Sequence, residues 1–286
     1  MERLSKPSTK AGRLQRACLD LLYEHEADGA IPTSIRFLFY ELLDRGVVPK
    51  VYRDEDGVAK KRMPSQYVSE AVHDLRKLGV PWEWIVDETR TVYRGRYAAS
   101  VLEYLEDTVP LARIDVWAGE KAPLILCESR SLAGVLRTVA DDYLCPIAST
   151  NGQVGGFLHT DIAPLVKGGR RVLYLGDYDL SGSQIEENTR KVLRSYGDLH
   201  WERVAITDVQ VRELGLPAIP TKIDRRYNPP RESYAVETEA LGQTRITELL
   251  TERLEEAVPE LLAVVLAREQ KQRVQVQVRE RLSADE

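Results

Sequence analysis

Cysteine is scarce in these 286 residues: Cys18, Cys127 and Cys145 are the only three. Their odd number and wide spacing exclude a disulfide scaffold and a CxxC zinc site. A reducing cytoplasm is the expected compartment. Histidine occurs four times, with no metal-ligand spacing. No apolar run approaches the ~18 residues of a membrane span. The polar stretch from Met1 to Arg16 lacks the apolar centre of a secretory signal, so no membrane association is expected. Internal repeats and low-complexity tracts are absent. The glycine-rich run from Gly152 to Gly156 is not followed by Gly-Lys-Ser/Thr, which excludes a P-loop.

What is present is ordinary in amount and uneven in placement. Hydrophobic residues make up 43% and charged residues 30%, enough for real cores in about two domains. The net charge is -5, which by itself argues mildly against nucleic acid. Residues 1–100 nevertheless carry 17 Lys and Arg against 15 Asp and Glu, and the remainder carries 23 against 30. Arg3, Lys6, Lys10, Arg13 and Arg16 face only Glu2 at the start of the chain. Such a basic arm serves either phosphate contact or solubility.

Residues 1–97 read as helix, helix, hairpin, helix and strand. Leu14, Cys18, Leu21 and Leu22 recur at helical spacing. Thr33-Ser34 is an N-cap signal before Ile35 to Leu43, and Gly46 is a stop. Asp54 to Gly57 is a turn within Val47 to Arg62, Gln66 to Leu78 is a helix, and Trp82 to Val86 a strand. Helix, helix, wing and helix fit a winged helix, a relative of the helix-turn-helix. Residues 98–120 read as a linker. Residues 121–286 alternate strands and helices and end in helices, so an α/β fold with a parallel sheet flanked by helices is expected. Two long helices, Val236 to Ala257 and Pro259 to Leu282, close the chain, although Val274 to Val278 alternates like a strand.

Acidic residues follow two of the apolar runs. Glu128 comes directly after Leu124 to Cys127. Asp177 and Asp179 come after Arg171 to Leu175. Ligands of open parallel sheets bind at the carboxyl ends of strands. Three carboxylates converging there repel one another unless protonated or bridged by a cation. Their oxygen donors suit Mg²⁺, and metal-assisted phosphoryl transfer is the matching chemistry. The plainer alternative is that acids after strands are turn formers and N-caps.

Leu124-Ile125-Leu126-Cys127-Glu128, followed by Gly176-Asp177-x-Asp179-x-x-Gly182, resembles a Toprim domain. Upstream, Arg36-x-x-Phe39-Tyr40 resembles the Arg-x-x-Tyr-Tyr helix of topoisomerase VI A subunits and their meiotic double-strand-break relatives. Tyr234 to Leu241 is similar to the acidic Ala-Leu segment that follows their Toprim core. The resemblance runs over about residues 30–250, in the order winged helix then Toprim, and the chain length is that of the compact stand-alone branch called topoisomerase mini-A. Three positions depart from the pattern: Phe39 for Tyr, Ser129 where that branch often has Lys, and Leu180 where Pro is common.

The resemblance implies a type IIB topoisomerase-like transesterase. Tyr40 would attack a DNA phosphate and form a tyrosyl–DNA link. Glu128, Asp177 and Asp179 would hold Mg²⁺, and Arg36 would assist the phosphate or lower the phenol's pKa. It also implies a two-fold homodimer in which the Tyr of one subunit works with the Toprim site of the other, double-stranded DNA as partner, and a separate ATPase B-type subunit for strand passage. His73, Arg76 and Lys77 on the third helix, with Arg90, Arg94 and Arg96 after it and Lys222, Arg225, Arg226 and Arg231 in the later loop, are the expected DNA contacts. Two other readings remain: a Toprim nuclease that uses water, and a non-catalytic DNA-binding protein.

Overall fold

The computed structural model describes residues 4–53, 56–58, 62–86, 98–151, 156–216, 219–220 and 234–284. The chain opens with three helices, α1 (Lys10–Ala27), α2 (Ile35–Asp44) and α3 (Pro64–Lys77). Each begins where capping chemistry permits. Thr9 accepts the Gly12 N–H at 3.0 Å and Ser34 accepts that of Phe37 at 3.3 Å, while Pro64 opens α3. Apolar stripes at helical spacing close a shared core. It comprises Leu14, Cys18, Leu21 and Leu22 of α1, Leu38 and Leu42 of α2, and Val68, Val72 and Leu75 of α3.

The strand expected at Trp82 to Val86 is instead a single 3₁₀ turn, Trp82–Trp84, followed by a bridge between Ile85 and Thr33. Arg76 curls this segment by donating to the carbonyls of Trp82 at 2.7 Å and Ile85 at 3.0 Å. Trp82 lies under the Arg76 guanidinium, and Trp84 meets Tyr23 edge to face at 5.7 Å. The turn from Asp54 to Gly57 lies partly outside the described residues.

After α4 (Val101–Thr108), strands and helices alternate: β1 (Leu124–Cys127), α5 (Arg130–Asp142), β2 (Ile147–Ser149), α6 (Ala163–Val166), β3 (Arg170–Leu175), α7 (Leu180–Arg194), β4 (Leu199–Ala205) and α8 (Asp208–Glu213). The four strands form one parallel sheet in the order β2-β1-β3-β4. The period of two sorts its side chains cleanly. Ile125, Cys127, Leu173 and Leu175 face a core shared with α5, while Leu124, Leu126, Val172 and Tyr174 face Ile162, Val166 and Leu193 on the other side. All four residues of β1 are buried, as a strand covered on both faces requires.

A short antiparallel pair, β5 (Ile219–Pro220) and β6 (Tyr234–Ala235), precedes α9 (Gln243–Glu255) and α10 (Leu262–Ala284). The helix expected from Val236 is interrupted. Thr238–Leu241 is a 3₁₀ turn, and Gly242 at φ 77° redirects the chain before α9. The alternating Val274 to Val278 lies within α10, flanked by Gln, Arg and Glu that favour helix. Among the described residues, no helix is long and apolar enough to cross a membrane.

Helix α2 joins the two halves. Leu38 packs among the N-terminal helices, whereas Phe37 is fully buried in the core of the α/β half. Gln243 reinforces the junction by donating to the carbonyls of Ala30 at 2.6 Å and Pro32 at 3.0 Å. Phe37→Ala is therefore expected to cost about 3–5 kcal/mol, the range for a buried aromatic, read as a lower urea midpoint.

Candidate functional site

The sheet changes winding direction between β1 and β3. The chain leaves β1 for β2 on one side and returns to β3 on the other, so the crevice at the carboxyl ends of β1 and β3 is a topological switch point. Register places Cys127 beside Leu175, and the Glu128 N–H donates to the Leu175 carbonyl at 2.8 Å. Glu128 and Gly176-Asp177 thus leave the sheet side by side. The Asp177 N–H donates to Glu128 Oε2 at 2.9 Å. Asp179 is the N-cap of α7 and accepts the Gly182 N–H at 2.6 Å.

The two glycines of the motif are required by space. A Cβ on Gly182 would lie 2.5 Å from the Asp177 carbonyl oxygen and 3.1 Å from Glu128 Oε2. A Cβ on Gly176 would lie 2.6 Å from the Tyr174 ring. Arg203 clamps the same turn by donating to the carbonyls of Gly176 at 2.8 Å and Asp177 at 2.6 Å.

The acids are electrostatically strained. Burial, then the neighbouring Asp177, pushes the Glu128 carboxyl up to about 7, with Asp179 adding to the shift. Burial also raises Asp177, although hydrogen bonds from Thr238 and the Arg36 charge pull the other way. Carboxylate oxygens are the donor chemistry of a hard divalent cation, so the residues fit Mg²⁺ in kind. One oxygen of each is engaged internally: Glu128 Oε2 by Asp177, Asp177 Oδ1 by Thr238, Asp179 Oδ1 by Gly182. Among the described residues, no three His, Cys, Asp or Glu side chains form a ready-made ion site.

The segment after β6 runs along this edge. Tyr178 and Val236 exchange backbone hydrogen bonds at 2.8 and 3.1 Å. Thr238 donates to Asp177 Oδ1 from its N–H at 2.8 Å and from its hydroxyl at 2.9 Å. Between these two fixed points, Glu237 turns toward α2. It accepts from Arg36 Nη2 at 3.1 Å and from the Tyr40 hydroxyl. Arg36 Nε also pairs with Glu239 at 3.2 Å. Glu239 is fully buried and accepts from Ser129 at 3.0 Å and Ser131 at 3.3 Å. Lys50 Nζ donates to the Tyr40 hydroxyl at 2.5 Å and lies 4.3 Å from its ring centroid.

This network reverses the expected effect on the tyrosine. Burial and the Glu237 hydrogen bond drive the Tyr40 phenol well above its ordinary value, and Arg36 opposes them only weakly. Burial raises the Glu237 carboxyl, but the Tyr40 hydrogen bond, Lys50 and Arg36 together hold it below the usual carboxylate range. Tyr40 is 5% exposed.

The structure therefore gathers Arg36, Tyr40, Glu128, Asp177 and Asp179 around one edge. Glu237, Glu239, Lys50, Thr238 and Arg203 join them without having been assigned a role from sequence. The acidic run around Glu237 was visible, but nothing in it indicated a partner on α2. His73 and Lys77 stand exposed on α3. Arg76 does not join them, because it binds the carbonyls of the following turn. Arg90, Arg94, Arg96, Lys222, Arg225, Arg226 and Arg231 lie outside the described residues.

Glu128 gives the site a pH signature. Between its ordinary 4.5 and about 7, the folded chain holds more protons than the unfolded one, so stability falls as pH rises through that window. In EDTA, Glu128→Gln is expected to match wild type near pH ~5 and to exceed it near pH ~8 in urea melts. Equal pH slopes for the two proteins would refute the assignment. No protein-family model, no curated protein and no solved structure matches the chain.

Proposed function

We propose that the chain is a DNA-binding, metal-dependent strand-breaking and rejoining transesterase related to the topoisomerase VI A subunit. In this reading residues 1–97 hold a winged helix and residues 121–286 a Toprim domain. One observation carries it. Tyr40 and Arg36 both bind Glu237, whose neighbour Thr238 binds Asp177. A tyrosine and an arginine from one half of the chain thereby adjoin the acidic edge of the other.

The Tyr40 oxygen would attack the phosphorus of a DNA phosphodiester. One O–P bond to the tyrosine forms as one P–O bond to deoxyribose breaks. The phenol proton ends on the released deoxyribose oxygen, so one ester is exchanged for another and resealing is the reverse step. Arg36 would balance charge on the phosphate. Glu128, Asp177 and Asp179 are the residues that would hold Mg²⁺, which when bound stabilises negative charge on phosphate oxygens. His73 and Lys77 would meet the DNA backbone. A two-fold dimer, in which the Tyr40 of one subunit would work with the acids of the other, would supply two sites, one for each strand of double-stranded DNA, and strand passage would draw on a separate ATPase subunit.

One observation favours a second reading, hydrolysis by water at the same acids. The phenol of Tyr40 is buried and raised, so it is a poor nucleophile in this conformation. A plasmid cleavage assay with Mg²⁺ or Mn²⁺, quenched in detergent and resolved with and without protease, separates the two. The transesterase reading expects protein-linked ends that disappear in Tyr40→Phe and in Asp177→Ala. Protein-free cuts that survive Tyr40→Phe but not Asp177→Ala would make the chain a nuclease. Binding without cuts in any condition would leave a DNA-binding protein.

A further inference from the structure

Arg36, Tyr40 and Lys50 come from α2 and the loop that follows it. They bring a guanidinium, a hydroxyl and an ammonium to one place. What they hold is a carboxylate 197 positions beyond Tyr40 in the chain. Glu237 Oε2 takes the Arg36 and Tyr40 donors, and Lys50 approaches through the same hydroxyl. Such a donor set recognises a singly charged oxyanion, and a phosphodiester is one as much as a carboxylate is.

The anchoring of the two acids differs. Glu239 is fully buried and held by Ser129 and Ser131, and it pairs with Arg36 Nε. Arg36 therefore keeps one fixed partner. The Glu237 backbone is secured apart from its side chain, by the Ala240 N–H on its carbonyl and by its neighbours through Val236 to Tyr178 and Thr238 to Asp177, so only Arg36 and Tyr40 hold the carboxylate. Rotation of the Glu237 side chain would empty the donor set without moving the strand edge. The vacated position adjoins the residue that binds Asp177.

We propose that Arg36, Tyr40 and Lys50 form a phosphodiester-binding site, and that Glu237 occupies it in the free chain as an internal substitute that DNA must displace. The proposal rests on the reading above insofar as that reading names DNA as the anion. The Tyr40 hydroxyl is accordingly engaged by a carboxylate where a phosphate oxygen would stand, while its ring packs in the N-terminal core. Competition of this kind lowers DNA affinity by the cost of releasing Glu237.

The test is binding of a short fluorescein-labelled duplex by anisotropy, in EDTA so that no cleavage intervenes and at fixed salt. Glu237→Gln removes the competing charge with little change of shape. It is expected to bind the duplex at least about fivefold tighter than wild type, the low end of typical coupling between two ligands. Lys50→Ala is expected to bind more weakly than wild type, and the double variant more weakly than Glu237→Gln. Unchanged or weaker duplex binding by Glu237→Gln would overturn the proposal. So would Lys50→Ala binding as wild type does in both backgrounds. Tighter binding by Glu237→Gln without cleavage by any variant in Mn²⁺ would instead sink the transesterase reading and leave the phosphate site standing.

Discussion

Two hydrogen bonds from Thr238 to a single oxygen of Asp177 tie the structure together. They fasten a late segment of the chain to the carboxyl end of β3. With the Tyr178–Val236 backbone pair and the Glu239 contacts to Ser129 and Ser131, they set Glu237 against α2 and place Arg36 between two acids. The bonds are satisfiable because Val236 is already paired with Tyr178, which sets the register of the segment by one residue on each side. A short antiparallel patch on the edge of a parallel sheet thus decides where an acid meets a tyrosine.

The surrounding chemistry follows from crowding like charges. Glu128 and Asp177 lie close, and burial raises both. The charge of Arg203, held at the carbonyls of the turn, offsets part of this at Glu128, and Arg36 does so at Asp177 from across the junction. On the other side of Arg36, Glu237 is stabilised as a carboxylate by Tyr40, Lys50 and Arg36 itself. The acidic edge and the tyrosine are thus in opposite electrostatic states. One has an excess of negative charge that a cation would relieve. The other has its positive charge already satisfied.

Much of the fold was legible from residue patterns. The apolar spacing of α1, the cap at Ser34, the buried run of β1 and the glycines around Asp177 each identify an element through a local rule. Failures came where a side-chain partner, near or far, overrode the backbone preference. Trp82 to Val86 alternates like a strand, yet Arg76 binds its carbonyls and turns it. Val236 to Ala257 reads as one helix, yet Gly242 interrupts it after Thr238 has bonded to Asp177. Arg76 looked like a cation on an exposed helical face and is used by its own neighbourhood instead.

The sequence by itself determined that acids follow two buried parallel strands, and that an Arg and a Tyr share one turn of an earlier helix. Both facts are local, since strand ends and helical spacing are properties of consecutive residues. Only the tertiary structure decided that Glu237 would stand between them, that Lys50 would reach the tyrosine, and that the phenol would be raised rather than lowered. Those outcomes depend on desolvation and on charges brought together by the sheet crossover and the junction at Phe37. No window of consecutive residues contains them.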